Sequence, residues 1–423
     1  MMKNLFKTGI VVLTIVFIHS CQNPSQDNNE DFINENIDFA AQQYDLQIDN
    51  IDKSEKILNP RNYIDGKINY ARPQDWTSGF FPGSLWYLYD LTGNEKWEKL
   101  AEKYTEALDT VQYLTSHHDV GFMIGCSYGN GLRLTGNNEY KDVIVQAAKS
   151  LSTRFRPVAG VIQSWNVTGG WQAERGWECP VIIDNMMNLE LLFDATRLSG
   201  DSAFYNIAVT HANNTIENHF RPDYSTWHVV DYSLTDGSVR HKQTAQGFSD
   251  ESTWARGQSW GIYGFVVAYR ATGNLMYLEQ AEKAFNFVAE NPNLPDDGIP
   301  YWDYNAPNIP NEPRDVSSAA IMASALYELS TYAKSDYYRG WADKIMHSLA
   351  SPRYRAELGE NGNFILMHSV GSIPHNAEVD VPINYADYYF LEALERKRDL
   401  EKQNGEKPEF SKAAVFIPHL LTY

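Results

Sequence analysis

Four copies of one short turn govern what this chain can fold into. Leu91-Thr92-Gly93-Asn94, Leu134-Thr135-Gly136-Asn137, Leu198-Ser199-Gly200-Asp201 and Ala271-Thr272-Gly273-Asn274 share one chemistry. Each follows an apolar, aromatic helical stretch, such as Leu85-Trp86-Tyr87-Leu88-Tyr89. Each precedes an amphipathic one, such as Trp97-Glu98-Lys99-Leu100-Ala101. Glycine ends the first helix, and Asn or Asp caps the next. A fifth copy, Ser335-Asp336 without glycine, joins Ala325-Leu326-Tyr327 to Tyr337-Tyr338-Arg339-Gly340-Trp341. A last segment, Tyr388-Tyr389-Phe390-Leu391-Glu392-Ala393, can pair with an N-terminal helix over about residues 31–59.

The pattern predicts about six helical hairpins, with apolar inner helices and amphipathic outer ones. An all-α fold, an (α/α)6 barrel closed as a toroid, suits this better than a bundle. An open solenoid is the alternative, but the irregular spacers favour closure. Those spacers (156–180, 221–258 and 294–316) carry Gly, Pro and aromatics, and belong at the barrel ends, where functional loops gather. Alternating runs within 221–245 predict a small β-hairpin. No linker divides residues 32–423, so they read as a single catalytic domain.

Ahead of that domain, Lys3 and Lys7 precede an apolar run from Ile10 to Ile18, too short to span a bilayer comfortably. Residues 1–20 therefore read as a signal peptide. Ile18-His19-Ser20-Cys21 resembles a bacterial lipoprotein box, with His19 a poor fit, so Cys21 is expected to carry a lipid in the cell envelope. The polar segment 21–31 reads as a flexible tether. A formal charge of −19 argues against nucleic-acid and anionic-membrane partners. The lipid anchor is the expected link to a membrane. With 11 Trp, 26 Tyr and 19 Phe, the chain has ample surface for stacking sugar rings, although many of these must fill the core.

Pro180-Val181-Ile182-Ile183-Asp184-Asn185-Met186-Met187 sets a carboxylate directly after three β-branched residues. Buried, Asp184 would have a raised pKa and keep a proton near neutrality, as a general acid must. The plainer reading is an N-cap for the helix that follows. Asp75-Trp76-Thr77-Ser78-Gly79-Phe80, His117-His118-Asp119-Val120-Gly121-Phe122, Ser164-Trp165 and Ser252-Thr253-Trp254-Ala255-Arg256-Gly257-Gln258-Ser259-Trp260-Gly261 have the same two-sided character. A Trp at a helix entrance is more often core than platform. His-His-Asp lacks further ligands at recognisable spacing, and Cys126 and Cys179 add no metal pattern, so no metal is expected.

Together these stretches resemble the unsaturated glucuronyl hydrolases, glycoside hydrolase family 88, over about residues 60–395. Tyr301-Trp302-Asp303, Arg314-Asp315-x-Ser317-Ser318-Ala319 and Ala386-Asp387-Tyr388-Tyr389 complete the ordered set. The resemblance implies an (α/α)6 barrel, Asp184 as general acid and base, and Asp119 as a second essential carboxylate. It implies no metal or organic cofactor. The substrate it implies is an oligosaccharide ending in a 4,5-unsaturated uronic acid, made by a polysaccharide lyase from glycosaminoglycan or ulvan. His228 and Gln246 match residues beside the reacting ring, and Lys242 and Thr244 lie on the same substrate loop. His118 is expected near the substrate, Trp76, Trp165, Trp254 and Trp260 along the cleft, and Arg256 as a bidentate clamp on the uronate.

The sequence departs from the family at Ser369-Val370-Gly371-Ser372-Ile373-Pro374. Some members active on sulfated fragments carry Ser-x-x-Ser-x-Lys there, so Ser369 and Ser372 remain as candidate contacts without the lysine. Unsaturated rhamnogalacturonyl hydrolases share the chemistry. A non-catalytic glycan-binding lipoprotein would need the aromatics but not the paired acids.

Overall fold

The structure, a computed structural model, describes residues 24–51 and 57–402. The expected signal peptide and Cys21 lie outside the described residues. Helix α1 (Pro24–Ile51) is followed by the hairpin of β1 (Asn59–Ile64) and β2 (Lys67–Ala71), then by α2 (Phe80–Thr92) and α3 (Glu95–Glu106). The next inner helix is broken into α4 (Val120–Ile124), a wide π-type turn and α5 (Asn130–Thr135). It pairs with α6 (Asn138–Ser152). Strands β3 (Phe155–Arg156) and β4 (Val161–Ile162), short α7 (Gly170–Glu174) and β5 (Cys179–Ile182) lead to α8 (Asn185–Ser199) and α9 (Ser202–His219). Then come β6 (Val229–Tyr232), β7 (Val239–Gln243), α10 (Ala255–Thr272) and α11 (Leu275–Ala289). The chain continues through α12 (Val316–Leu329), α13 (Ser335–Leu349), β8 (Ser369–Ser372), β9 (Ala377–Val381) and α14 (Asn384–Lys402).

The inner ring runs α2, α4–α5, α8, α10, α12, α14, and α14 packs back against α2. The outer layer is α3, α6, α9, α11, α13 and α1. The first and last described helices, α1 and α14, form the sixth hairpin and close an (α/α)6 barrel. Composition explains which helix goes where. Every residue of α12 from Val316 to Leu329 is buried, whereas α3 buries Trp97, Ala101, Tyr104 and Thr105, one face of a 3.6-residue period. The repeated turns work as their chemistry requires. Gly93, Gly136, Gly200 and Gly273 take φ of 64°, 67°, 77° and 68°. Asn94, Asn137, Asp201 and Asn274 then accept a hydrogen bond from the backbone two residues on.

Two expectations near the N-terminus need correction. Segment 21–31 is not a tether throughout, because the chain is helical from Pro24. Asn29 donates to Glu401 at 2.8 Å and accepts from Lys397 at 3.4 Å, so a polar face is satisfied by α14. The N-terminal helix expected to about residue 59 does not reach it: the described helix is Pro24–Ile51, residues 57 and 58 are not helical, and β1 begins at Asn59. The hairpin expected in 221–245 is β6–β7, to which β5 adds a third antiparallel strand.

Because each hairpin returns the chain, all six inner helices begin at the same end of the barrel. Gly79, Asp119, Asp184, Trp254, Asp315 and Ile383, which precede them, gather there with the positive helix ends. Toward the C-terminal ends of the ring, Arg396 meets Glu328 at 3.0 Å, and Arg270 meets Glu328 at 3.2 Å. Glu392 accepts from Tyr87, Tyr263 and Ser324 in the same buried network.

Candidate active site

Three of the aspartates that precede inner helices differ in what their side chains do. Asp315 caps α12, accepting from Ser317 N at 3.1 Å and from Ser317 Oγ at 2.6 Å. Asp119 and Asp184 occupy the equivalent positions on α4 and α8 without a capping bond. The plain reading of Asp184 as a cap therefore fails. Asp184 is buried, and its Oδ2 has no hydrogen-bond partner among the described residues. The two helices are held close by Asn188, whose Oδ1 accepts from Phe122 N at 2.9 Å. A Cβ on Gly121 would come within 2.5 Å of that same oxygen, so only glycine permits the approach.

The surroundings push the two acids apart. Burial raises Asp184 to about 7; Arg256 opposes this and the charge of Asp119 adds to it. Burial also works on Asp119, but His118, His117 and Arg154 outweigh it and hold the carboxylate low. His117 Nδ1 lies 3.1 Å from Asp119 Oδ2, and His118 Nε2 lies 3.4 Å from Oδ1. Burial drives His118 to about 4, so near neutral pH it meets Asp119 as a neutral ring. The result is one protonated and one ionised carboxyl on adjacent helices, the arrangement that separates acid from charge stabiliser.

His228 stands over Asp184 with Nε2 at 3.9 Å from Oδ2. Its Nδ1 accepts from Ala245 N at 3.1 Å and Gln246 N at 3.2 Å. Burial, with Arg256 and His219 adding to it, keeps the ring neutral. The neutral ring therefore carries its proton on Nε2 and is a donor, not a base. Thr244 Oγ1 accepts from Gly247 N at 2.9 Å, and Gln246 Nε2 donates to Gly371 O at 3.1 Å. The loop carrying them is thus tied to itself and to β8.

Aromatic rings wall the cleft. Trp254 lies 4.5 Å from His228 between ring centroids, and Trp165 lies 6.4 Å away edge-on. Trp165 continues into Trp171 and Trp177 at 5.2 and 5.9 Å. Trp76 is half-buried against Tyr385, Phe80 and Phe122.

Several expected contacts sit elsewhere. Trp260 is fully buried between Phe122 and Tyr389, a pillar beneath the cleft rather than its lining. Arg256 spends both Nη atoms within the fold: Nη2 donates to Gly371 O at 2.8 Å, and Nη1 to Val370 O and to Asp315 at 3.2 Å. Its Nε alone has no polar partner among the described residues, and its charge bears on Asp184. Lys242 shares a face of the hairpin with Val230 and lies beside Trp227, 5.7 Å from the ring centroid. Its charge bears on His219, while the charges bearing on Asp184 are Arg256 and Asp119. Ser369 Oγ is buried without a partner, and Ser372 Oγ is engaged with His375 Nδ1 at 2.7 Å.

Sequence reasoning missed Trp171, Trp177, His375 and Arg154. The indoles fall in a Gly-rich spacer, and no helical period marks them. Arg154 is an isolated arginine past α6 whose burial only the fold reveals.

An (α/α)6 barrel with a protonated and an ionised carboxyl set among aromatic rings is the arrangement of a glycoside hydrolase. The family model for Glycosyl Hydrolase Family 88 matches residues 47–390. An unsaturated glucuronyl hydrolase of Formosa agariphila is 45% identical over 388 residues, covering 87% of this chain and 96% of that protein. The crystal structure of an unsaturated glucuronyl hydrolase specific for heparin has a TM-score of 0.84 at 43% identity, covering 88% of this chain and 98% of that one. An unsaturated glucuronyl hydrolase mutant of Streptococcus agalactiae, solved with dGlcA-GalNAc6S, has a TM-score of 0.73 at 27% identity, with 91% and 98% covered. The chain belongs to glycoside hydrolase family 88.

Proposed function

We propose that this glycoside hydrolase removes the 4,5-unsaturated glucuronyl residue from the non-reducing end of lyase-made oligosaccharides. The observation that carries the reading is the pairing of Asp184, held protonated up to about 7, with ionised Asp119 on the neighbouring helix. The substrate is an enol ether. Asp184 delivers its proton to C4, positive charge develops at C5 and is shared with the ring oxygen, and water adds at C5. The Asp184 carboxylate then takes a proton from that water, which restores the acid. The hemiketal opens and releases the remaining sugar. The steps balance with one water and no electron transfer.

Asp119 supplies negative charge where the oxocarbenium-like state is positive, and His228 Nε2–H donates to the water or a ring oxygen. A relative specific for heparin and another solved with dGlcA-GalNAc6S support glycosaminoglycan fragments as the parent class, and ulvan fragments are the second candidate. Export as a lipoprotein through Cys21 would place the enzyme where a lyase releases such fragments, and rests on the N-terminal sequence. Incubation with lyase-generated disaccharides, followed by ultraviolet absorbance of the conjugated double bond, tests the reading. Loss of absorbance with release of the reducing-end sugar is expected; unchanged absorbance across the panel overturns it.

A further inference from the structure

Arg154 lies two residues past α6 and is 2% exposed. Its guanidinium is shared between two loops. Nε donates to Gln163 O at 2.7 Å, and Nη1 donates to Thr115 O at 2.6 Å and to Asn166 Oδ1 at 3.0 Å. Nη2 is buried without a polar partner among the described residues. Thr115 leads into His117-His118-Asp119, whereas Gln163 and Asn166 bracket Trp165. The same loops also meet directly: His118 N donates to Ser164 O at 3.2 Å, and His117 bridges Trp165.

Burying a guanidinium with one nitrogen unsatisfied is costly, and an apolar residue would fill the space more cheaply. The arrangement is explained by what the charge and the fork do together. Burial pushes Arg154 down to about 10 and Arg156 adds to this, while Asp119 and Cys179 favour its charged form. Asp119 is faced by His117 and His118 from its own loop, by Arg154 from behind and by Asp184 from α8.

We infer that Arg154 is a positioning residue for the reaction, pinning the Asp119 loop to the Trp165 loop through hydrogen bonds to both. This rests on the proposed function. The role is indirect, because Arg154 acts through Asp119 and not on the sugar. A lysine keeps the charge but lacks the fork that reaches three acceptors. Glutamine keeps part of the hydrogen bonding but loses the charge.

The test compares Arg154→Lys and Arg154→Gln with the parent, measuring kcat and KM on an unsaturated disaccharide from about pH 2.5 to 9, to include the acidic limb of a lowered carboxyl. Arg154→Lys is expected to lower kcat about tenfold through misplacement, with the acidic limb of kcat/KM unmoved. Arg154→Gln is expected to move that limb upward by a few tenths of a pH unit, because Asp119 loses one of the cations that lower it. Both variants losing activity with the limb in place would show a merely structural residue and overturn the inference. So would two variants with parental kcat. Should Arg154→Gln fail to fold, Asn166→Ala leaves the charge and removes one partner. It is expected to lower kcat about threefold, and parental kcat in both Asn166→Ala and Arg154→Lys overturns the inference. A parent inactive on every unsaturated disaccharide would instead overturn the proposed function.

Discussion

Oδ2 of Asp184 and Nε2 of His228 face each other across 3.9 Å, both buried and neither with a hydrogen-bond partner among the described residues. Buried polar atoms are seldom left so, and two facing each other across a cleft mark the place where a third group bonds. His228→Ala removes the donor and leaves Ala245 N and Gln246 N without their acceptor. Turnover is expected to fall at least about tenfold. The alkaline limb of the pH profile should stay near its parental place, because His228 is neutral throughout. Steady-state kinetics across pH check both parts.

Arg256 and Asp184 give a second expectation, whose sign follows from the cause. Arg256 holds Asp184 below the value that burial alone would impose. Arg256→Met removes that restraint, so the pKa of Asp184 rises and the alkaline limb of kcat/KM moves to higher pH. Arg256→Lys should keep the limb closer to its parental place, while both weaken the hold on Val370 and Gly371. A limb that does not move in Arg256→Met would show that its charge does not reach the acid.

These two residues also show what could be read beforehand. The hairpin count was legible because glycine at a left-handed turn and an Asn or Asp cap leave a local signature, as at Gly93 and Asn94. Asp184 stood out because carboxylates beside apolar runs are rare, whereas Asp119 took its role from the family resemblance of the His117-His118-Asp119 stretch. Partners were not legible. Whether Arg256 offers its fork to a ligand or to Val370 and Gly371 depends on β8, more than a hundred residues away. Lys242 lies on a strand whose two faces alternate, and period alone does not say which face meets the cleft. Trp260 is a core pillar for the same reason: its role is set by Phe122 and Tyr389 from other helices.

Arg396 provides a control far from the chemistry. It donates to Ser324 O at 2.7 Å and pairs with Glu328 at 3.0 Å, both buried. Arg396→Met should destabilise the fold by about 1–3 kcal/mol, because Glu328 keeps Arg270 while Ser324 O loses its donor. Denaturant unfolding checks this, and kcat of the folded fraction should be unchanged.

Asp184 carries a stability cost with a defined pH window. Its folded pKa of about 7 exceeds an unfolded value of about 3.9, so the native state holds its proton longer. The ionisation penalty is absent below about pH 4, grows between about 4 and 7, and is complete above. At about 1.4 kcal/mol per pH unit, the ceiling is about 4 kcal/mol. Asp184→Asn should therefore be more stable than the parent at pH 8, with the gap closing towards pH 4. Equal stability gaps at the two pH values would contradict the raised pKa.

The most direct measurement is the turnover of Asp184→Asn on an unsaturated disaccharide that the parent consumes, followed by ultraviolet absorbance, with substrate affinity measured alongside. The side chain keeps its size but cannot deliver a proton to C4. Turnover is expected to fall at least about a hundredfold, with affinity within about threefold of the parent. Turnover close to the parental rate would contradict Asp184 as the acid, and with it the account of the site.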